Sequence, residues 1–287
     1  MRWFAILLVV SAAARAEDGT KIGDPISWGK VTVFPIVRTA ARPAQDVVTL
    51  RGGLEAKLVT VTERGDVNSV VVKNHARKPL LLVGGEMILG GQQDRIIGQD
   101  QLVPPQSSAV VKVFCVEHGR WAGGQHFGSA GGIADAKVRA RAKLRGNQQE
   151  VWDEVAKKAG AMGASTPSGT YRAVNAKAEK DLEPYRKAIR PKLDPQKEIV
   201  GLAAAVDGRV VSVDVFATPE LFAQYEDRIL NSAFIEAEGG DSRAKPAPPP
   251  DAKAVESFLE KARKEKSISV VRGANGAALM ESSVSAE

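Results

Sequence analysis

From Trp28 to Glu117 short apolar runs alternate with turn signals, the pattern of closely spaced β-strands. It predicts strands at 30–37, 58–63, 67–73, 79–83, 95–99 and 109–117, with Arg64-Gly65-Asp66 as a tight connection and Pro104-Pro105 ending a strand. Strands this closely spaced suggest an antiparallel sandwich or barrel-like sheet. Along 109–117, Val111, Val113, Cys115 and Glu117 share one face, because side chains alternate on a strand. Val110, Phe114 and Val116 occupy the other, interrupted by Lys112. Apolar residues on both faces imply a strand covered on both sides, with Glu117 emerging at its end on the side of the thiol.

The pattern then changes. Residues 123–132 are glycine-rich and read as a mobile or tightly turning loop. A helix is expected over 134–158, with Val138, Leu144, Val151 and Val155 as a partial apolar stripe, and a second over 176–189, stopped by Arg190-Pro191. Runs at 199–206 and 209–216 flank Asp207-Gly208, the signal of a two-residue β-hairpin. Thr218 and Pro219 then fit the N-cap and first position of a helix running to about 236. The fold class is therefore α+β: an antiparallel β-sandwich-like N-terminal half, with helices and a β-hairpin in the C-terminal half. One main β/α domain spans 19–238, a Pro/Gly-rich linker spans 239–251, and 252–287 supplies a helix, a strand and a flexible tail from Gly273.

The N-terminus reads as export. Arg2 precedes the apolar run Trp3 to Val10, and Ala14 and Ala16 fit the −3 and −1 sites, so residues 1–16 are read as a cleavable signal peptide cut after Ala16. That run is shorter than the roughly 20 residues a membrane span takes, no later segment replaces it, and the expected location is secreted or periplasmic. Losing Arg2 and Arg15 with the leader lowers the formal charge from +6 to +4. So mild an excess gives no reason to expect a nucleic-acid partner; a small molecule or glycan fits better. The single cysteine, Cys115, excludes an intrachain disulfide and a multi-thiolate metal site. No metal and no cofactor is expected, and the oligomeric state is not legible.

The densest unusual polar residues lie in Gly84-Gly85-Glu86-Met87-Ile88-Leu89-Gly90-Gly91-Gln92-Gln93-Asp94-Arg95 and in Phe114-Cys115-Val116-Glu117-His118-Gly119-Arg120-Trp121. Both fall where strands end and loops begin, where working residues commonly sit. Glu86, Gln93, Arg95, Glu117, Arg120 and Trp121 are the candidate ligand-binding set: arginine forks onto carboxylate or phosphate, and Trp121 offers a flat face. The same residues also suit a purely structural role, as a buried charge network. Glu86 and Glu117 are the candidate catalytic acid and base of a hydrolase. A Cys115–His118 nucleophile is disfavoured, since alternation points the two apart, and Glu117, His118 and His126 lack a recognisable metal-ligand spacing. The basic run Lys137, Arg139, Arg141, Lys143, Arg145 is spread around its helix, so it marks no single binding face.

The two glycine- and charge-rich segments resemble the ARG and rhodanese-phosphatase-superfamily-associated domain family. The resemblance continues through Gln148-Gln149-Glu150-Val151-Trp152 and the hairpin-plus-helix ending near Ala237, and is weakest after the Pro-rich linker. It implies, through the genomic association in the family's name, a neighbourhood of ADP-ribose or related nucleotide chemistry. It carries over no catalytic mechanism. Three functions stand: an exported module binding a phosphorylated or sugar-containing ligand, a hydrolase of a nucleotide-sugar, ADP-ribose derivative or glycan, and an envelope structural protein.

Overall fold

The computed structural model describes residues 15–16, 19–40, 46–193, 198–240 and 247–286. The leader reading lies almost wholly outside them, as does much of the expected linker.

The first half closes on itself. Strands Arg95–Ile97, Ser107–Cys115, Ser69–Asn74, Val59–Glu63, His126–Ile133 and Glu86–Gly90 form, in that order, a closed antiparallel barrel. Alternation explains its filling: Val59, Val61, Val70, Val72, Val111 and Val113 pack inward. Helix Leu50–Glu55 and a small sheet of Val48–Thr49, Leu80–Leu82 and Gln101–Val103 cover the barrel end near Val59. Glu63, at the other end of its strand, therefore marks the opposite mouth.

A closed barrel replaces the expected sandwich because two strands were hidden in the sequence. Glu86–Gly90 lay among glycines, and His126–Ile133 occupies the stretch read as a mobile loop. The glycines of this strand serve close packing rather than motion. A Cβ at Gly131 would lie 3.0 Å from the Met87 Cβ, and one at Gly132 would collide with Asn175.

The other unit is an open antiparallel sheet, in which the first strands of the chain, the expected 30–37 strand among them, pair with the C-terminal half instead of the barrel. Its central strands are Val31–Arg38, Ile199–Val206, Arg209–Phe216 and Ala278–Val284, with Ser269–Arg272 outermost and Thr20–Ile22 and Ile26–Trp28 pairing with Val31–Arg38. The hairpin is as expected: Asp207 and Gly208 both have positive φ, 48° and 77°, the conformation of a type I′ turn. The tail expected to fray after Gly273 instead contributes Ala278–Val284, a largely buried strand beside the hairpin. One face of this sheet shares a core with the helices and the outside of the barrel, through Leu202, Phe216, Phe234, Met87 and Phe114. The other face packs against helix Ala252–Lys264.

Helix boundaries shift where caps dictate. The helix expected over 134–158 breaks into Ala136–Ala140, one π turn Arg141–Arg145 and Gln148–Ala161. Gly146 turns left-handed at φ 64°, and Asn147 caps the next helix by accepting from the Gln149 and Glu150 amides. The helix expected over 176–189 starts earlier, at Tyr171, behind the Thr170 cap, and divides into Tyr171–Asp181 and Glu183–Leu193. Thr218 caps its helix as expected, accepting from the Leu221 amide at 3.2 Å. That helix stops at Ala223, and a new one, Glu226–Glu238, continues. Among the described residues no helix is long and apolar enough to cross a membrane.

Candidate functional site

The six candidate residues do not share one enclosure. They divide among four places, and strand alternation separates the first from the mouth: Asp94 and Arg95 are chain neighbours that leave the backbone on opposite sides.

Outside the barrel, Gln93, Glu117 and Arg120 meet around Asp94. The Asp94 carboxylate is buried and takes five donors: Gly90 N, Arg120 Nη2 and Arg172 Nη2 on Oδ1, Thr170 Oγ1 and Arg172 Nε on Oδ2. The Arg172 fork is bidentate, at 2.6 and 2.9 Å. Glu117 Oε2 accepts from Arg120 Nε at 2.7 Å and from the Asp94 amide at 3.1 Å. Burial pushes the Glu117 carboxyl up, but the Arg120 hydrogen bond and the Asp94 amide outweigh it and hold the group below its ordinary value. Arg120 also donates to the carbonyls of Gly90, Gly91 and Ala122. Gln93 Nε2 donates to the Glu117 carbonyl at 2.8 Å. The result is a knot that ties the strand ends to the Thr170 cap. Gly91 belongs to it for a steric reason: its φ is +56°, and a Cβ there would sit 2.6 Å from Glu63 and against the Phe127 ring.

Glu86 lies elsewhere. Its side chain is fully buried, with Oε1 accepting from Arg228 Nη1 at 2.6 Å and Oε2 from the Val83 amide at 2.9 Å. Burial raises its pKa even against Arg228. Arg228 in turn stacks over the Tyr225 ring at 4.4 Å. Glu86 and Glu117 thus sit in separate networks, and neither lines the cavity at the barrel mouth. The raised pKa alone would suit a general acid, but both carboxylate oxygens are already occupied inside the protein.

Arg95 points into the barrel mouth. It is 1% exposed, pairs with Glu63 at 2.6 Å, and lies over Phe127 at 5.5 Å. Its Nε is buried with no hydrogen-bond partner among the described residues. Glu63, Arg64, Gln92, Arg95, Gln125 and Asp66 line a cavity of about 310 Å³ at this mouth. Cys115 stands opposite Arg95 in the strand register, and burial pushes its thiol up, away from the thiolate a nucleophile needs. His118 packs edge-on against Trp152 instead, at 4.6 Å. Trp121 is 55% exposed, on the loop that Arg120 fastens to Gly91.

The family model for the ARG and Rhodanese-Phosphatase-superfamily-associated Protein domain matches residues 19–284. The chain belongs to this family. The domain therefore includes both the barrel and the open sheet, and runs through the C-terminal helix and strands. No curated protein and no solved structure matched the chain. Within this domain sequence reasoning missed Glu63, Asp94, Arg172 and Arg228. Asp94 carried a signal, since it stands inside the singled-out Gln-Gln-Asp-Arg run. Arg172 and Arg228 carried none, lying on helices that only the tertiary fold brings to the strands.

Proposed function

We propose that this chain is an exported binding module whose barrel mouth receives the sugar-containing end of a small molecule, with any phosphate lying outward toward Arg64. The observation that carries the reading is Arg95: a buried guanidinium lining a cavity, whose Nε has no hydrogen-bond partner among the described residues. An unpaired buried donor is costly, and a ligand oxygen would complete it. The surroundings favour hydroxyls over dense charge. Arg64 and Arg95 are balanced by Glu63 and Asp66, while the Gln92 and Gln125 amides offer both donors and acceptors. The volume lies at the small end of the roughly 300–1,000 Å³ of ordinary ligand pockets.

The test is a thermal-shift and calorimetric panel of sugars, sugar phosphates, ADP-ribose and nucleotide sugars on the mature chain. A binder raises the melting temperature as its concentration rises, and the rim substitutions Gln125→Ala and Arg64→Ala weaken it without unfolding the protein. No shift with any member of the panel would end this reading. The envelope structural role is the second reading, and the Asp94 knot favours it, because the Asp94 carboxylate there already takes five donors within the chain. The export part rests on residues 1–16 and is tested separately. Protein recovered from the extracytoplasmic fraction should begin at Glu17, and a mature chain retaining Met1 would overturn it.

A further inference from the structure

A second cavity, of about 400 Å³, lies where the open sheet meets the C-terminal helix Ala252–Lys264. Its composition differs from that of the barrel mouth. Ile22, Ile36, Val213, Val215, Leu259 and Ile268 line its walls. Val270, also in the lining, is 39% exposed, an apolar side chain the fold leaves uncovered on this side. The lining charges are one-sided: Arg38, Arg263, Lys266 and Arg272 against the single acid Glu281. Two of these guanidiniums are braced from behind, Arg38 by the Phe216 carbonyl at 2.9 Å and Arg272 by the Gly276 carbonyl at 3.0 Å. Arg263 and Lys266 are exposed at the end of the helix.

Apolar walls with convergent cations describe one ligand chemistry. Ligand sites are mostly apolar, with a few placed polar groups that fix orientation. A neutral apolar molecule would leave the cations unused, and a sugar phosphate would leave the walls wet. We infer that this cavity binds a monomeric amphiphilic anion, a long-chain monocarboxylate, with the alkyl chain against the sheet and helix and the carboxylate at the Arg263–Lys266–Arg272 rim. The site is independent of the barrel mouth and does not rest on that reading.

Dodecanoate, kept below its micelle concentration, is titrated into the full mature chain by calorimetry, with dodecanol and a dodecyl-trimethylammonium salt as neutral and cationic controls. Dodecanoate binds with saturable stoichiometry, and the controls bind about tenfold more weakly or not at all. The double charge reversal Arg263→Glu, Lys266→Glu alters only exposed side chains, so it keeps the fold and lowers dodecanoate affinity by about tenfold. Ile268→Trp fills the cavity and blocks binding, while Gln125→Ala at the barrel mouth changes nothing. Equal binding of dodecanoate and dodecanol, indifference to the charge reversal, or no binding to the folded wild-type chain overturns the inference. So does binding that is seen only with phosphatidylglycerol vesicles, which would make the patch a membrane contact instead.

Discussion

Asp94 and Arg95 are consecutive residues at the start of one barrel strand, yet the regions they serve are opposites. On the Asp94 side two arginines, a threonine and a backbone amide converge on one carboxylate. On the Arg95 side one guanidinium shares one carboxylate and faces a cavity with a donor to spare. The residue types are the same, so composition cannot tell the two apart. What separates them is completeness: a buried ion whose hydrogen-bonding capacity is filled by the chain has structural work only, while one left partly unfilled beside an opening has room for a ligand.

The sharpest way to break that contrast is to remove the centre of the knot. Asp94→Ala leaves Arg120 and Arg172 without their shared acceptor and strips the Thr170 cap of a partner. Breaking a buried charge network from one side costs about 3–5 kcal/mol, which chemical denaturation measures. At the mouth, Arg95→Met should cost less, about 1–3 kcal/mol, because the stranded Glu63 borders a cavity that water can enter. Equal losses for the two variants would mean the mouth is as closed as the knot.

A third cluster sharpens the contrast through pH. Asp135, Lys158, Glu236 and Tyr171 are buried together, with Lys158 Nζ 3.1 Å from Glu236 and 3.5 Å from Asp135, and Tyr171 donating to Asp135 at 2.6 Å. Burial, then the neighbouring Asp135 carboxylate, raises the Glu236 pKa to about 7. A carboxyl whose folded pKa exceeds its unfolded value near 4.5 contributes stability that is full below that unfolded value and is lost as pH rises through about 7. Stability of the wild type relative to Glu236→Gln should therefore fall between the unfolded value of 4.5 and the folded value of about 7 in paired denaturation curves. A parallel pair of curves would mean that Lys158 compensates the Glu236 carboxylate in full.

Smaller again is Arg172→Ala. Its side chain is 53% exposed, and losing it leaves Asp94 three of its five donors in a site that water reaches, so the cost should be about 1 kcal/mol. A loss approaching that of Asp94→Ala would show that the fork, and not the carboxylate, carries the knot.

How much of this was legible in the chain follows from what each signal depends on. Asp207-Gly208 and Thr218-Pro219 were readable because a turn or a cap is decided by a few adjacent residues. The valine alternation of 67–73 and 109–117 was readable for the same reason. The barrel's closure was not, because Glu86–Gly90 and His126–Ile133 are strands by virtue of their neighbours: local glycine content says loop, and only packing against Met87 and Asn175 explains it. The site followed the same rule. Gln93, Glu117 and Arg120 meet because they flank the ends of two directly paired strands, with Arg95 opposite Cys115. Glu86 and Arg95 were lost to Arg228 and Glu63, partners on elements whose approach no local pattern encodes. The basic run shows both sides at once. Its charges do spread around the helix, but Arg139 and Lys143 are buried on Asp214 and Asp100, while Arg141 and Arg145 reach Glu150 at the surface.

The smallest stability effect belongs to Trp121, and it separates packing from recognition most cleanly. The ring is more than half exposed, so Trp121→Ala should move stability by no more than about 0.5 kcal/mol. Its loop leads directly to Gln125, a lining residue of the barrel mouth, and is fixed at its start by Arg120 on the Gly91 carbonyl. An indole held there can lie flat against a sugar face, and its loss should weaken a mouth-bound sugar by about threefold to tenfold. Unchanged stability with reduced affinity makes Trp121 part of the mouth. Unchanged affinity leaves it as an exposed ring beside the knot, and confines recognition to Arg95 and the amides around it.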